Sequence, residues 1–155
     1  KPTECEYVAV DRETLRDLAG VLVAVEEIDE ELAELQQMDT ECVTARVEHL
    51  LASNGIRTLS HEERGQTNGQ PFLALHLTAA YDDDGSVVFR IDMRLYQMVM
   101  LVASTNLCHA STWQRGGIQP TTVESLPATV KGVFDEYIEL FADDFLAANP
   151  LTSAR

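Results

Sequence analysis

Residues 71–101 read PFLALHLTAAYDDDGSVVFRIDMRLYQMVML, and this stretch decides the fold. Its first part alternates leucine with small or polar residues from Leu73 to Thr78. Its second part carries apolar side chains at the odd positions 87, 89, 91, 93, 95, 99 and 101. Alternation is typical of strands that bury one face, because successive side chains point to opposite sides of the sheet. The stretch therefore predicts a β-hairpin whose second strand is long and bent or bulged.

The register of this hairpin follows from the parity of its core positions. Odd positions face the core on both strands, so the numbers of two opposed residues must sum to an even number. A three-residue loop, Asp83 to Gly85, meets that condition by pairing Asp82 with Ser86, and it places the glycine where this loop class needs a left-handed residue. A two-residue loop would set core residues against outward ones. The predicted register places Leu77 opposite Ile91, Leu75 opposite Met93 and, on the other face, His76 opposite Asp92.

Periodicity predicts further strands and two long helices outside the hairpin. The apolar run 21–25 is typical of a buried strand, and a strand from about Leu107 to Arg115 is expected to end at Gly116-Gly117. Apolar stripes at helical spacing predict helices over 40–54 and 126–148. We expect an α+β fold, an antiparallel sheet of about four or five strands with both helices packed on its odd-parity face.

Length and cysteine content predict one domain without a disulfide framework. The 155 residues are expected to form a core over 15–150 behind a loose N-terminal arm over 1–14. The three cysteines form no C-x-x-C pair, which argues against a zinc site. An oxidised Cys42–Cys108 pair stays open, because it requires the helix carrying one cysteine to cross the strand carrying the other. Cys5 would then be left over in the arm.

Acidic residues dominate the charge balance. The chain has 26 Asp and Glu against 11 Lys and Arg, a formal net charge of −15. Such a surface repels phosphate backbones and anionic membranes, so we expect no nucleic-acid partner. No apolar run approaches the roughly 20 residues of a spanning helix, so we expect no membrane insertion. A saline habitat is an alternative origin for the acidity.

Motifs for catalysis, metals and cofactors are absent. The chain contains no glycine-rich phosphate loop and no nucleophile elbow. The acidic cluster that begins at Asp82 fails as an EF-hand loop, because its sixth position is Val87 and its twelfth is Met93. The H-x-E triplet at His61 lacks the cysteine-bearing half of a zinc deaminase. We therefore predict no catalytic residue, no metal and no cofactor, and a protein that is not an enzyme.

One polar constellation emerges from the predicted register. His76 lies opposite Asp92, and Arg90 and Arg94 flank the aspartate on the same face. Such a group could bind a small molecule or an anion, or act as the acid–base pair of a weak hydrolase. An ordinary solvated sheet face held by cross-strand pairs has the same composition, and no nucleophile is placed beside this one.

An apolar patch is predicted at the end of the long strand. The outward positions change there from charged residues to Met98, Met100 and Val102. If a two-residue turn at Thr105-Asn106 follows, Met98 lies opposite Trp113 and the indole joins the patch. A turn one residue longer would send Trp113 into the core. The larger patch exceeds what a monomer usually exposes, so we expect the N-terminal arm or another chain to cover it.

Four segments carry a resemblance to a known family. They are 21–27, 47–56, Thr112-Trp113 and 141–150, within a match from about Leu15 to Pro150. On these segments the chain resembles an uncharacterised family of small exported bacterial proteins. Its order of strand, helix, strands and helix is also similar to the amino-terminal domain of the envelope protein TolB. The resemblance implies a signal peptide removed before Lys1 and a periplasmic or otherwise exported protein, and it brings no catalytic residues.

The function expected from these observations is non-enzymatic. We predict a protein-interaction or structural module of the cell envelope, with a protein partner or a second copy of the chain as a homodimer, contacted through Met98, Met100, Val102 and Trp113. The alternative is a ligand-binding domain or weak hydrolase that uses His76, Asp92, Arg90 and Arg94.

Overall fold

The computed structural model describes residues 11–28, 30–34 and 39–150. Within them, four strands and four helices follow in the order β1 (Leu22–Ile28), α1 (Glu30–Glu34), α2 (Thr40–Ser53), α3 (His61–Gln66), β2 (Phe72–Tyr81), β3 (Ser86–Met100), β4 (Leu107–Thr122) and α4 (Leu126–Ala148). The predicted α+β class is confirmed, and both long helices lie in the predicted ranges. Among the helices of these ranges, none combines the length and the apolar character that crossing a membrane requires.

The strands form one sheet in the order β1-β2-β3-β4. The neighbours β2, β3 and β4 are joined by hairpins and pair antiparallel. The first strand, β1, pairs parallel with β2, so the sheet is mixed rather than wholly antiparallel. A parallel neighbour requires a crossover connection instead of a hairpin, and the segment that contains α1, α2 and α3 provides it.

The β2–β3 hairpin has the predicted register. Leu77 pairs with Ile91, Leu75 with Met93 and His76 with Asp92. The Asp82 N–H donates to the Ser86 carbonyl at 2.9 Å and closes the three-residue turn. Gly85 has a φ of +84°, a conformation that glycine adopts without steric cost. The three-residue loop predicted from parity is therefore confirmed.

Both long helices pack on one side of the sheet, which we call the inner face. It carries the odd positions of β2 and β3, and their side chains form the core together with α2 and α4. Buried members of this core include Val47 and Leu51 of α2, Leu75, Phe89, Ile91 and Met93 of the sheet, and Val130, Ile138 and Phe141 of α4. The α2 helix begins after Asp39, whose carboxylate accepts the Cys42 N–H at 2.7 Å.

The strand β4 does not end at Gly116 and Gly117, as the sequence predicted, but continues to Thr122. Both glycines are sites of close approach. A β-carbon at Gly116 would collide with the carboxylate of Asp92, and one at Gly117 would lie 2.8 Å from the hydroxyl of Tyr137. The two glycines therefore let neighbouring side chains lie against the strand, and they do not stop it.

A β-bulge determines which face Trp113 occupies. Leu95 pairs with Trp113 while the next residue, Tyr96, pairs with Ser111, so Thr112 is an extra residue in β4. Trp113 then points to the inner face, where it is 1% exposed. Because the side-chain period of a strand is two residues, one inserted residue exchanges the faces of everything beyond it.

A buried carboxylate connects β4, α4 and the N-terminal segment. Asp144 of α4 is 5% exposed. It accepts hydrogen bonds from Trp113 Nε1 at 3.0 Å, from Arg12 Nε at 2.9 Å and from Arg115 Nη2 at 3.0 Å. The Arg115 guanidinium also lies over the indole, 4.8 Å from the ring centroid. A buried charge is tolerated when it is paired and hydrogen-bonded, and these three donors meet that condition.

The predicted N-terminal arm is described only in part. Residues 1–10, with Cys5, lie outside the described residues. Residues 11–14 are held to the core, since the Thr14 hydroxyl donates to the Thr112 carbonyl at 3.0 Å, beside the Arg12–Asp144 contact. Cys42 and Cys108 are both free thiols, so the oxidised pair that the sequence left open is not formed.

Replacing Asp144 with alanine is expected to lower the free energy of unfolding by about 3 kcal/mol, because three hydrogen-bond donors lose their acceptor. The control is Asp143→Ala, which removes the adjacent, exposed aspartate and should change stability by less than about 0.5 kcal/mol. Urea unfolding followed by the fluorescence of Trp113 measures both values. Equal losses of unfolding free energy in the two variants would show that the hydrogen bonds of Asp144 do not stabilise the fold.

Candidate functional site

The even positions of β2 and β3 form the outer face of the sheet, opposite α2 and α4. The four charged residues that the sequence selected lie together there, namely His76, Arg90, Asp92 and Arg94. With Thr78 they line a shallow depression of about 230 Å³. A second depression, of about 350 Å³, extends from Asp92 and Arg94 to residues 114–116 of β4. The structure thus brings the predicted residues together and adds β4 to their surroundings.

Asp92 is the centre of this group. Its carboxylate contacts Nε of Arg90 at 2.6 Å, and Nη2 of Arg94 lies 3.9 Å away. The absent side chain of Gly116 leaves the space that the carboxylate occupies against β4. Two guanidinium groups therefore share one carboxylate, which neutralises about half of their charge within the sheet itself.

His76 bonds to a residue that sequence reasoning missed. It pairs with Asp92 across the strands, as predicted, but its Nε2 contacts Glu26 Oε2 of β1 at 2.5 Å. Glu26 stands at a register shift between Val25 and Glu27. The sequence carries no signal for this contact, because the register of a parallel neighbour is not fixed by a turn. The His76–Asp92 hydrogen bond that a hydrolase would need is replaced by the His76–Glu26 contact.

Arg94 is the member of the group with unused hydrogen-bonding capacity. A hydrogen bond with Tyr96 and the nearby charge of Asp92 raise the pKa of the Arg94 guanidinium above its usual value. Its Nε is buried and has no hydrogen-bond partner among the described residues. A small anion could satisfy this N–H after a shift of the Arg94 side chain that opens the atom to solvent, since guanidinium groups favour carboxylate and phosphate oxygens.

Aromatic rings close the outer face where β2 begins. Phe72 stacks on Tyr96 with ring centroids 5.0 Å apart, and His109 of β4 approaches Phe72 edge-on at 6.0 Å. The guanidinium of Arg64, from α3, lies over Phe72 at 4.7 Å from the centroid and contacts His109 Nε2 at 3.3 Å. The sequence does carry one signal for this cluster, because Phe72 and Tyr96 both occupy even positions and therefore share the outer face. The cluster lies where β2 begins, and beyond it only β3 and β4 continue.

Beyond these rings, β3 and β4 continue as a two-stranded hairpin that β2 does not reach. The first residue of β2, Phe72, pairs with Tyr96, whereas β3 continues to Met100. The exposed apolar side chains at the end of this hairpin, which we call the hairpin tip, are Met100 at 62%, Leu101, Val102 at 96% and Leu107 at 67% exposure. Leu101, expected on the core side, is exposed because no helix extends this far over the sheet in the described part of the chain.

The predicted apolar patch is corrected at one residue. Met98 pairs with His109, not with Trp113. Trp113 is therefore not part of any outer surface, whereas Met100 and Val102 are exposed as expected and Met98 is half-buried. Neither turn considered from the sequence gives this register, for two reasons. The loop between β3 and β4 is longer than either turn, and Thr112 is an extra residue in β4.

Charge distinguishes this end of the molecule from the rest. None of the 26 acidic residues lies between Met93 and Val123, whereas Arg94 and Arg115 both do. The hairpin tip and the whole of β4 fall within this acid-free stretch. In a chain of net charge −15, it is the longest part of the sequence that does not repel another acidic protein.

A groove of about 530 Å³ lies between α2 and α4 and has a different character. Aliphatic side chains and Phe134 line most of it, together with Cys42 and the charged residues Arg46 and Lys131. A hydrogen bond with Asp39, burial and the charge of Asp39 raise the pKa of the Cys42 thiol. Less thiolate is present at neutral pH than for an ordinary cysteine, so Cys42 lacks the activation that a catalytic nucleophile needs.

Gly116→Ala is expected to lower the free energy of unfolding by about 1–3 kcal/mol, because the new β-carbon would displace the Asp92 carboxylate. Adding Asp92→Ala to that variant should recover part of the loss, since the clash is then removed. The control is Gly65→Ala, at a site with open space around the added carbon. Strictly additive effects in this double-mutant cycle would show that the two residues do not touch.

Comparisons of the chain with models of protein families, with curated proteins and with solved structures give no match. The geometry described above therefore carries the argument about function.

Proposed function

We propose that the chain is a non-enzymatic protein-interaction domain of the cell envelope, which contacts a protein partner through the hairpin tip. The observation that carries this proposal is the exposure of Met100, Val102 and Leu107 on a hairpin that extends past the sheet. The resemblance to exported bacterial proteins supports the placement in the envelope.

The composition of the hairpin tip is that of a contact surface. Soluble monomers seldom expose several large apolar side chains side by side, because each costs favourable burial. The flexible thioether of Met100 can adapt to the shape of a partner. The pairing of Met100 with Leu107 holds both side chains on one face of the hairpin. A partner that covered them would gain roughly 25 cal/mol for each Å² of apolar surface removed from water.

Charge restricts where an acidic partner can dock. At a net charge of −15, most of the surface repels an acidic protein. The hairpin tip lies in the acid-free stretch, so its approach to such a partner meets the least repulsion. Like-charge repulsion disfavours contacts with such a partner elsewhere on the molecule.

A small anion bound at Arg94 is the second candidate function, and the observation that favours it is the buried Nε, which has no hydrogen-bond partner among the described residues. The same geometry weakens it, because Asp92 already pairs with Arg90 and Glu26 already contacts His76. Inorganic phosphate should then raise the melting temperature of the wild-type protein and leave that of Arg94→Ala unchanged.

A photo-crosslinking side chain placed at Val102 is expected to capture a partner protein in extracts of the native cell. The matched control places the same side chain at Leu140, an exposed apolar position on α4. Met100→Asp should suppress capture from position 102, because a buried charge without a partner disfavours docking. Capture of equal strength from both positions, or none from position 102 in any extract, would overturn the proposal.

A further inference from the structure

The open edge of β4 offers a binding surface distinct from the hairpin tip. We propose that two copies of this chain pair antiparallel along β4 between Trp113 and Gln119, which joins their sheets into one sheet of eight strands, four from each copy.

The backbone groups that face the edge follow from the hydrogen bonds of the two hairpins. In an antiparallel pair, hydrogen-bonded residue pairs alternate with pairs that are not bonded. Asp82 and Ser86 are bonded, so the even residues of β3 direct their N–H and C=O groups to β2 and the odd residues direct theirs to β4. The Leu101 N–H agrees, since it donates across the β3–β4 loop to the Asn106 carbonyl at 2.8 Å.

The register of β4 then identifies its outward groups. On the side of the bulge that contains Trp113, odd residues of β3 pair with odd residues of β4. The even residues Gln114, Gly116 and Ile118 therefore turn their N–H and C=O groups away from β3. Pro120 belongs to the same even series and has no N–H, the usual position of a proline in an edge strand.

This edge carries little of the protection that edge strands normally have. Among the described residues, no strand pairs with β4 on its far side. Natural edges are blunted by charged side chains, prolines and bulges, and they otherwise act as templates for another strand. Here the bulge at Thr112 and Pro120 stand at the two ends, and between them the only charged residue is Arg115, which donates to the Gln114 carbonyl at 2.7 Å.

The side chains of the same segment allow a second strand to come close. Adjacent strands lie about 4.8 Å apart, so bulky side chains on an edge strand can hinder the approach of a second strand. Glycines, which have no side chain, do not cause this hindrance. Gly116 and Gly117 leave the middle of the segment bare. A two-fold axis at Gly116 would set Ile118 of one copy beside Gln114 of the other on the outer face, and would cover part of the exposed isoleucine.

Charge favours a second copy over another occupant. A basic partner would be attracted to the acidic surfaces of the molecule and repelled by the acid-free stretch, whose charged residues are arginines. An acidic partner meets least repulsion along β4, because the strand itself carries no acidic residue and the two carboxylates that lie against it, Asp92 and Asp144, are paired with arginines. A second copy is an acidic protein that presents the same open edge, and a two-fold axis makes the two edges self-complementary.

Light scattering behind a sizing column, over a series of protein concentrations, tests the pairing. The wild-type protein is expected to shift from monomer to dimer as concentration rises. Added salt should strengthen the dimer, because it screens the repulsion of two chains of charge −15. A protein that stays monomeric at every concentration and salt level would overturn the proposal.

The discriminating variant is Ile118→Pro, which removes an outward N–H without removing a β3–β4 bond, as the native Pro120 does two residues on. It should stay monomeric under conditions in which Ile118→Ala still dimerises. Circular dichroism verifies that both variants fold. A dimer that survives in the folded proline variant would place the interface elsewhere, the hairpin tip included, and would overturn the pairing while leaving the proposed function intact.

Hydrogen exchange on the unaltered protein gives an independent readout. The N–H groups of Gln114, Gly116 and Ile118 should exchange rapidly in dilute solution and become protected as the dimer forms, whereas those of the odd residues beside them stay protected throughout. Protection of the three even residues that does not depend on concentration would mean that the chain's own residues cover the edge, and would refute a second copy as the occupant.

Discussion

The pairing of Asp82 with Ser86 is the constraint on which the other contacts depend. Because side chains alternate along a strand, this single pair determines the face of every residue in β2 and β3. A slip by one residue would expose Phe89 and Ile91 and bury Arg90 and Asp92. Each large apolar side chain that lost its burial would cost about 2 kcal/mol, and the buried charges would cost more. The register is therefore strongly specified, and with it the positions where α2 and α4 pack.

The bulge at Thr112 lets β4 direct Trp113 into the core and Leu107 to the outer face. On one side of it, Trp113 faces the helices and donates its indole N–H to the buried Asp144. On the other side, Leu107 has the same parity as Trp113 yet shares the outer face with Met100. Without the extra residue the two side chains would share a face. The strand can thus belong to the core at one end and present an apolar tip at the other.

The distribution of acidic residues distinguishes the outer face near His76 from the acid-free stretch between Met93 and Val123. The outer face near His76 and Asp92 compensates its charges internally, through Arg90 and Glu26. The acid-free stretch instead combines exposed apolar side chains with an edge of β4 that no other strand of the described part of the chain pairs with. The two docking surfaces that we propose, the side chains of the hairpin tip and the backbone of the β4 edge, therefore lie on the same pair of strands.

The sequence by itself determined the elements whose signals are local. Alternation and turn chemistry predicted the hairpin and its register, and apolar stripes at helical spacing predicted α2 and α4. The meeting of His76, Arg90, Asp92 and Arg94 on one face followed from that register. Only the tertiary structure decided the parallel pairing of β1, the contact of His76 with Glu26, the inward direction of Trp113 and the continuation of β4 through two glycines. Each of these depends on contacts between residues distant in the chain, or on one unpaired residue whose position no pattern of period two reveals.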